Sequence, residues 1–138
     1  MNRSDFQKLA RVRLDEAKVL RDGGKFDGAY YLAGYAVECA LKAVIAKRIK
    51  AEEFPPKPGV VQKYYTHDLA GLVTAAELGA DLESKSQDNQ DFEANWFTVK
   101  RWNENSRYEI YSEDEAIELI EAIEDQTHGV LPWLQSIW

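Results

Sequence analysis

Disulfides cannot hold this chain together, because its single cysteine, Cys39, has no internal partner. A lone cysteine in an apolar run acts as a small hydrophobe and suits a reducing compartment. Histidine is almost as scarce: His67 and His128 are the two present, and neither has metal-ligand spacing with Cys39. No metal site or cofactor is therefore expected. Proline is rare but clustered, with Pro55, Pro56 and Pro58 together in one stretch. That cluster forbids a helix and marks one long loop, whose ends Phe54, Tyr64 and Tyr65 are expected to anchor. No uninterrupted apolar run reaches the roughly 18 residues of a membrane span. The opening MNRSDFQKLARVRLDEAK lacks a signal peptide's apolar core, so a soluble cytoplasmic protein is expected. Positive charge is also short, with 17 Lys and Arg against 24 Asp and Glu, a net charge of −7. A general nucleic-acid binder would present a large positive field, although a few residues suffice for a local basic pocket. Strand signals are nearly absent, and Gly59-Val60-Val61 is too short to count.

What the chain does have is helical periodicity. At 138 residues it is expected to form one domain spanning 1–138, long enough to bury its own core. Its centre is Asp27 to Lys50. Tyr30, Ala33, Val37, Ala40 and Val44 recur at spacings of three and four, while Leu32, Ala36, Cys39, Ala43, Leu41 and Ile45 widen the stripe. A helix apolar over most of its circumference is buried among several partners. Glu38 interrupts this run, with Lys42 one turn later in the favourable order for a pair.

Around this helix the others follow in order. A first helix is expected after Ser4 as N-cap, stopped by Gly23-Gly24. Asp27 can cap the central helix, and the short link between the two implies an antiparallel hairpin. Thr66 can cap a helix from His67 to Leu78 that Gly79 ends. A polar stretch, Asp81 to Asp91, leads to a helix around Phe92 to Arg101. WNENSRYEIY reads as a turn. Ser112 and Glu115 form a capping box for a last helix from Glu113 to near the C-terminus, where Pro132 ends or kinks it. The fold class is all-α, an up-and-down bundle of four main helices plus a short extra helix.

Several of these residues resemble a known family. Asp27-Gly28-Ala29-Tyr30-Tyr31, Ala36-Val37-Glu38 and Leu41-Lys42-Ala43 look like the opening of a HEPN domain, the "higher eukaryotes and prokaryotes nucleotide-binding" domain. Thr66-His67-Asp68-Leu69 is also similar, as is a terminal helix preceded by an Arg-, Asn- and Tyr-containing turn. The resemblance implies a helical bundle paired as a homodimer, often acting with a minimal nucleotidyltransferase as a toxin–antitoxin-like pair. Many members of that family are metal-independent ribonucleases using an Arg, four to six residues, then a His. Here Arg101 is followed by Trp102, Asn103, Glu104, Asn105 and Ser106, and then by Arg107 where the His is expected. Arginine stays protonated in proteins and cannot take a proton.

The candidate site is therefore one for binding. Arg101 and Arg107 can hold a phosphate, Asn105 can hydrogen-bond it, and Trp102 and Tyr108 can stack on a base. Glu38 and Lys42 either line that site or form a satisfied internal pair, the second being favoured. The other expectation, and the favoured one, is that Arg101 and Arg107 pair with acids such as Glu38 and lock the turn onto the central helix. His67 and His128 are expected at a surface or helix end, without a catalytic role. Trp96, Phe97, Trp102, Trp133 and Trp138 give the second half aromatic surface of the kind homodimers cover. The leading expectation is a non-catalytic, homodimeric module that binds a nucleotide or phosphate and works with a nucleotidyltransferase-like partner. The alternatives are a metal-independent ribonuclease with a divergent Arg/Arg site, or a purely structural dimer. No membrane is involved in any of them.

Overall fold

The computed structural model describes residues 1–49 and 64–138. The proline cluster and Phe54 lie outside them. Seven α-helices form among the described residues, with no strand: α1 Arg3–Asp22, α2 Phe26–Arg48, α3 Leu69–Ala75, α4 Gly79–Asp88, α5 Gln90–Lys100, α6 Glu113–Glu124 and α7 Val130–Gln135. A 3-10 helix, Glu104–Tyr108, joins α5 to α6.

The bundle is built around α2, which touches α1, α3, α6, α7 and the 3-10 helix. Its alanines Ala29, Ala33, Ala36, Ala40 and Ala43 are all fully buried, because small side chains let the neighbours close in. By length and composition α2 could cross a membrane, but most of it is buried inside the bundle, as a core helix would be. The α1–α2 hairpin is as expected. Gly24 takes φ 75 in the link, a conformation that costs glycine nothing.

The helix boundaries differ from expectation in instructive ways. Asn2, not Ser4, caps α1, through a capping box with Asp5. Asp27 caps nothing; α2 starts at Phe26 without a side-chain cap, and the Asp27 carboxylate accepts from the Tyr111 amide at 2.6 Å. Asp68, not Thr66, caps α3. Gly79 opens α4 rather than ending α3, and Glu77 at φ 59 makes the turn, with Leu78 N–H donating to Val73 and Glu77 N–H to Thr74. The polar stretch Asp81 to Asp91, to which the spacing assigns no helix of its own, is mostly α4. It buries no residue, so it carries no apolar stripe to read. The last helix is two: Asp125 breaks it by accepting from the amides of Thr127 and His128. Pro132 sits in the first turn of α7, where its missing N–H costs nothing. The capping box of Ser112 and Glu115 is present as expected.

The aromatic surface expected in the second half is largely absent. Trp96, Trp102, Trp133 and Trp138 are all buried within the chain, and Phe97 alone of that set is exposed. Trp133 gives its indole N–H to Asp81 at 2.7 Å, which lets it enter the core.

Candidate functional site

A carboxylate in the middle of an apolar helix must find partners or stay costly. Glu38 is 2 % exposed, and both of its oxygens are engaged. Lys42 Nζ lies 3.4 Å from Oε2, one turn along α2. His67 Nδ1 lies 2.8 Å from Oε1. The expectation of an internal Glu38–Lys42 pair is met, with the histidine added to it. Arg101 and Arg107 do not reach Glu38, so the expected lock between that acid and the turn is not formed. The physical reason is that Glu38 already has two nearer partners.

Local chain geometry sends His67 to Glu38. Thr66 Oγ1 accepts from the Asp68 amide at 3.1 Å, and Asp68 then accepts from Gly71 N–H at 3.0 Å to start α3. These two caps fix the link on either side of His67. The ring turns inward at Nδ1 and outward at Nε2, which lies 3.5 Å from Glu104 Oε2 on the 3-10 helix. The His67 side chain remains 44 % exposed.

The 3-10 helix is seated by Trp102. Its indole is 1 % exposed and lies over Gly34 of α2, where a Cβ would overlap the ring. Tyr31 stacks on it at 5.9 Å. Asn103 caps the 3-10 helix through Asn105 N–H at 2.9 Å. Trp102 Nε1 and Ser106 Oγ are buried with no hydrogen-bond partner among the described residues. Beyond the turn, Tyr111 stacks on Tyr30 at 3.6 Å, and burial pushes the Tyr111 hydroxyl up to about 12. Burial raises Tyr30 as well, and the nearby Arg101 charge opposes that rise.

The residues expected to form a site divide into two groups. Arg101, Asn105, Arg107 and Tyr108 are exposed together on the turn, with Arg107 lying 4.9 Å over the Tyr108 ring. Glu38, Lys42 and Trp102 lie behind them in or near the core. Trp102 therefore offers no open face for a base: its enclosure over Gly34 makes it the anchor of the turn rather than a stacking platform. His67, expected only at a surface or helix end, stands between Glu38 of α2 and Glu104 of the 3-10 helix. The available signal was an acid in an apolar helix that needed a partner, and a histidine bracketed by two capping residues.

His128, by contrast, is tied into the structure. Its Nδ1 is 2.9 Å from Asn89 Nδ2, its backbone N–H donates to Asp125, and its carbonyl accepts from Asn95. Cys39 is 1 % exposed and its thiol is pushed up to about 11 by burial, so it stays protonated at neutral pH. Among the described residues no three His, Cys, Asp or Glu side chains converge as metal ligands would.

Comparison with curated proteins and with solved structures gives no match. The family model for the HEPN domain matches residues 4–130, nearly the whole chain and all of the elements that build this site. The chain belongs to the HEPN domain family.

Proposed function

We propose that this HEPN chain binds the phosphate of an RNA or nucleotide at the exposed turn, through Arg101, Asn105, Arg107 and Tyr108. Membership of the family points to a nucleotide- or RNA-related function. The observation that carries the reading is the state of the two arginines. Most other arginines of the described residues are committed: Arg13 to Glu16, Arg21 to Asp22, Arg48 to Glu77, and Arg3 to the Trp138 carbonyl. Arg101 takes no carboxylate, carbonyl or ring partner among the described residues, and Arg107 touches only Tyr108. In a chain of net charge −7, two exposed guanidiniums, one at the end of α5 and one on the 3-10 helix that follows, make a local basic stretch. Guanidinium groups suit phosphate because their donors match its geometry. Tyr108 is 76 % exposed, so its ring is available to a base.

The test is a titration of a labelled single-stranded RNA at fixed, stated salt. Changing Arg101 and Arg107 together to Ala is expected to weaken binding by roughly tenfold or more and to flatten its salt dependence. Both side chains are exposed, so the fold should persist. Unchanged affinity in the double variant would move the site elsewhere. A homodimer and a nucleotidyltransferase-like partner belong to the same reading. They rest on the family, since the tryptophans that suggested a covered surface are inside the chain.

A further inference from the structure

We propose that His67 is a proton-dependent latch on the phosphate-binding turn: its charged ring ties the buried Glu38 of α2 to Glu104 of the 3-10 helix and so readies Arg107 for RNA. This rests on the reading that Arg101 and Arg107 hold an RNA phosphate, and it adds the regulation of that same site. Trp102 over Gly34 seats the turn without any titrating group, whereas the contact through His67 changes with the proton.

The ring stands between two carboxylates, one at each nitrogen. Glu38 Oε1 lies 2.8 Å from Nδ1, a full hydrogen bond to a buried acid. Glu104 Oε2 lies 3.5 Å from Nε2, too long for a firm one. A neutral imidazole has one N–H donor and one lone pair. If it donates to Glu38, it turns its lone pair toward Glu104, and two acceptors repel. The charged ring donates from both nitrogens and can serve both acids. The Glu38 contact is therefore open to either state of the ring, and the Glu104 contact is the one that the proton closes. Among the described residues, the charged groups facing the ring are Glu38 and Lys42 from α2 and Glu104 from the 3-10 helix. On its own link Asp68 is committed to the Gly71 amide, and α3, LAGLVTA, brings no charge. Lys42 offsets one of the two acids, so a charged ring compensates the second, which a neutral ring leaves bare.

The same contact reaches the phosphate through the turn. Glu104 and Arg107 belong to one 3-10 helix, and side chains three apart on such a helix eclipse each other, so both leave it on the same side. With the ring neutral, the Glu104 carboxylate is an acid beside a guanidinium offered to phosphate. It competes for the cation and repels the anion. With the ring charged, that carboxylate is drawn to Nε2 and both effects fall away. Histidine is the side chain whose charge ordinarily changes between about pH 5 and 8, so the latch works across neutrality. The sign follows: RNA binding is strong where the ring is charged and weakens as pH rises and the ring loses its proton. By reciprocity, RNA binding draws a proton onto the ring. His67 and Glu104 are positioning residues, since neither touches the phosphate.

The experiment titrates a labelled single-stranded RNA with the purified full chain at fixed salt, at about pH 8 and about pH 6, either side of the histidine range. Wild type is expected to bind about fivefold or more tightly at the lower pH, the low end of ordinary coupling between two sites. His67→Gln should bind equally at both, at the weaker wild-type level. Glu104→Gln should also bind equally at both, but at the tighter level, because the competing acid is gone. His128→Gln should keep the wild-type difference. Calorimetry in two buffers of unlike ionisation heat should show proton uptake when wild type binds RNA, and none for His67→Gln. A circular dichroism melt confirms that each variant is folded, and the exposed Glu104 tests the latch without disturbing the core. Wild type that binds RNA equally at both pH values overturns the latch and leaves the binding reading intact. A pH difference that survives in His67→Gln or in Glu104→Gln also overturns it. Arg101→Ala/Arg107→Ala that binds like wild type defeats the phosphate reading, and the proposal with it.

Discussion

The two histidines occupy similar places and have different surroundings. Each stands in the short link just before a helix, His67 before α3 and His128 before α7. Each has an acid nearby that arranges the link: Asp68 caps α3, and Asp125 gathers the Thr127 and His128 amides. Beyond that they part. His128 Nδ1 faces an amide, Asn89, and its other nitrogen lies 3.7 Å from the exposed Asp91. His67 Nδ1 faces a carboxylate that the core has taken out of water. A link of similar build can thus serve a helix start in one place and, in another, couple a ring to a buried charge. The difference lies in what the opposite helix offers, which no local motif reveals.

The sharpest way to break this comparison is to remove the buried charge. Glu38→Ala leaves Lys42 and His67 without their partner in a part-buried setting and is expected to cost about 3–5 kcal/mol. The check is chemical denaturation, and an unchanged midpoint would mean that Glu38 is solvated after all. The next largest effect concerns the turn that faces His67. Gly34→Ala puts a Cβ into the Trp102 indole and should cost about 1–3 kcal/mol. It should also lift the 3-10 helix, readable as a change in Trp fluorescence. On the other side, His128→Ala loses side-chain hydrogen bonding to Asn89 alone, a loss of about 1 kcal/mol. It should leave RNA binding as it was, and a binding defect would erase the distinction between the histidines.

The smallest expected effect is a pH dependence at the His128 link. The backbone amides of His128 and Thr127 hold the Asp125 carboxyl below its ordinary value of 3.8. A depressed carboxylate stabilises the fold above its unfolded value, and that contribution is lost as pH falls through the folded one. Asp125→Asn should therefore be less stable than wild type at neutral pH, and the gap should close below about pH 4. Melting temperatures of both proteins between pH 7 and pH 3 decide it, and a gap that stays constant would refute the role given to these hydrogen bonds.

The all-α class, the α1–α2 hairpin and the buried α2 were legible because apolar spacing reports one buried face. The Ser112 capping box was legible because both of its partners sit within three residues. What failed was what no local spacing reports. α4 buries nothing, so its stripe does not exist. The tryptophans could be counted but not placed, since Trp102 is enclosed by a glycine far away in sequence, Gly34. At the candidate site, Arg101 and Arg107 could be named from the sequence and the structure leaves both exposed, but the ring of His67 meets Glu38 across 29 residues, and no periodicity carries a contact of that kind.

The contact between Tyr111 and Asp27 spans 84 residues, and the Trp102 indole over Gly34 closes a loop of similar reach. Such closures are slow to form compared with a hairpin like that of α1 and α2. The hairpin contains Glu38 and Lys42 and can assemble from the first third of the chain alone. Until the turn docks and Trp102 settles on Gly34, the His67 ring lacks Glu104 beside its Nε2. A partly folded chain, or one emerging from the ribosome, thus carries the ingredients without the arrangement. The proposed site joins residues from both halves of the chain, so it cannot precede the long-range contact that seats Trp102 on Gly34.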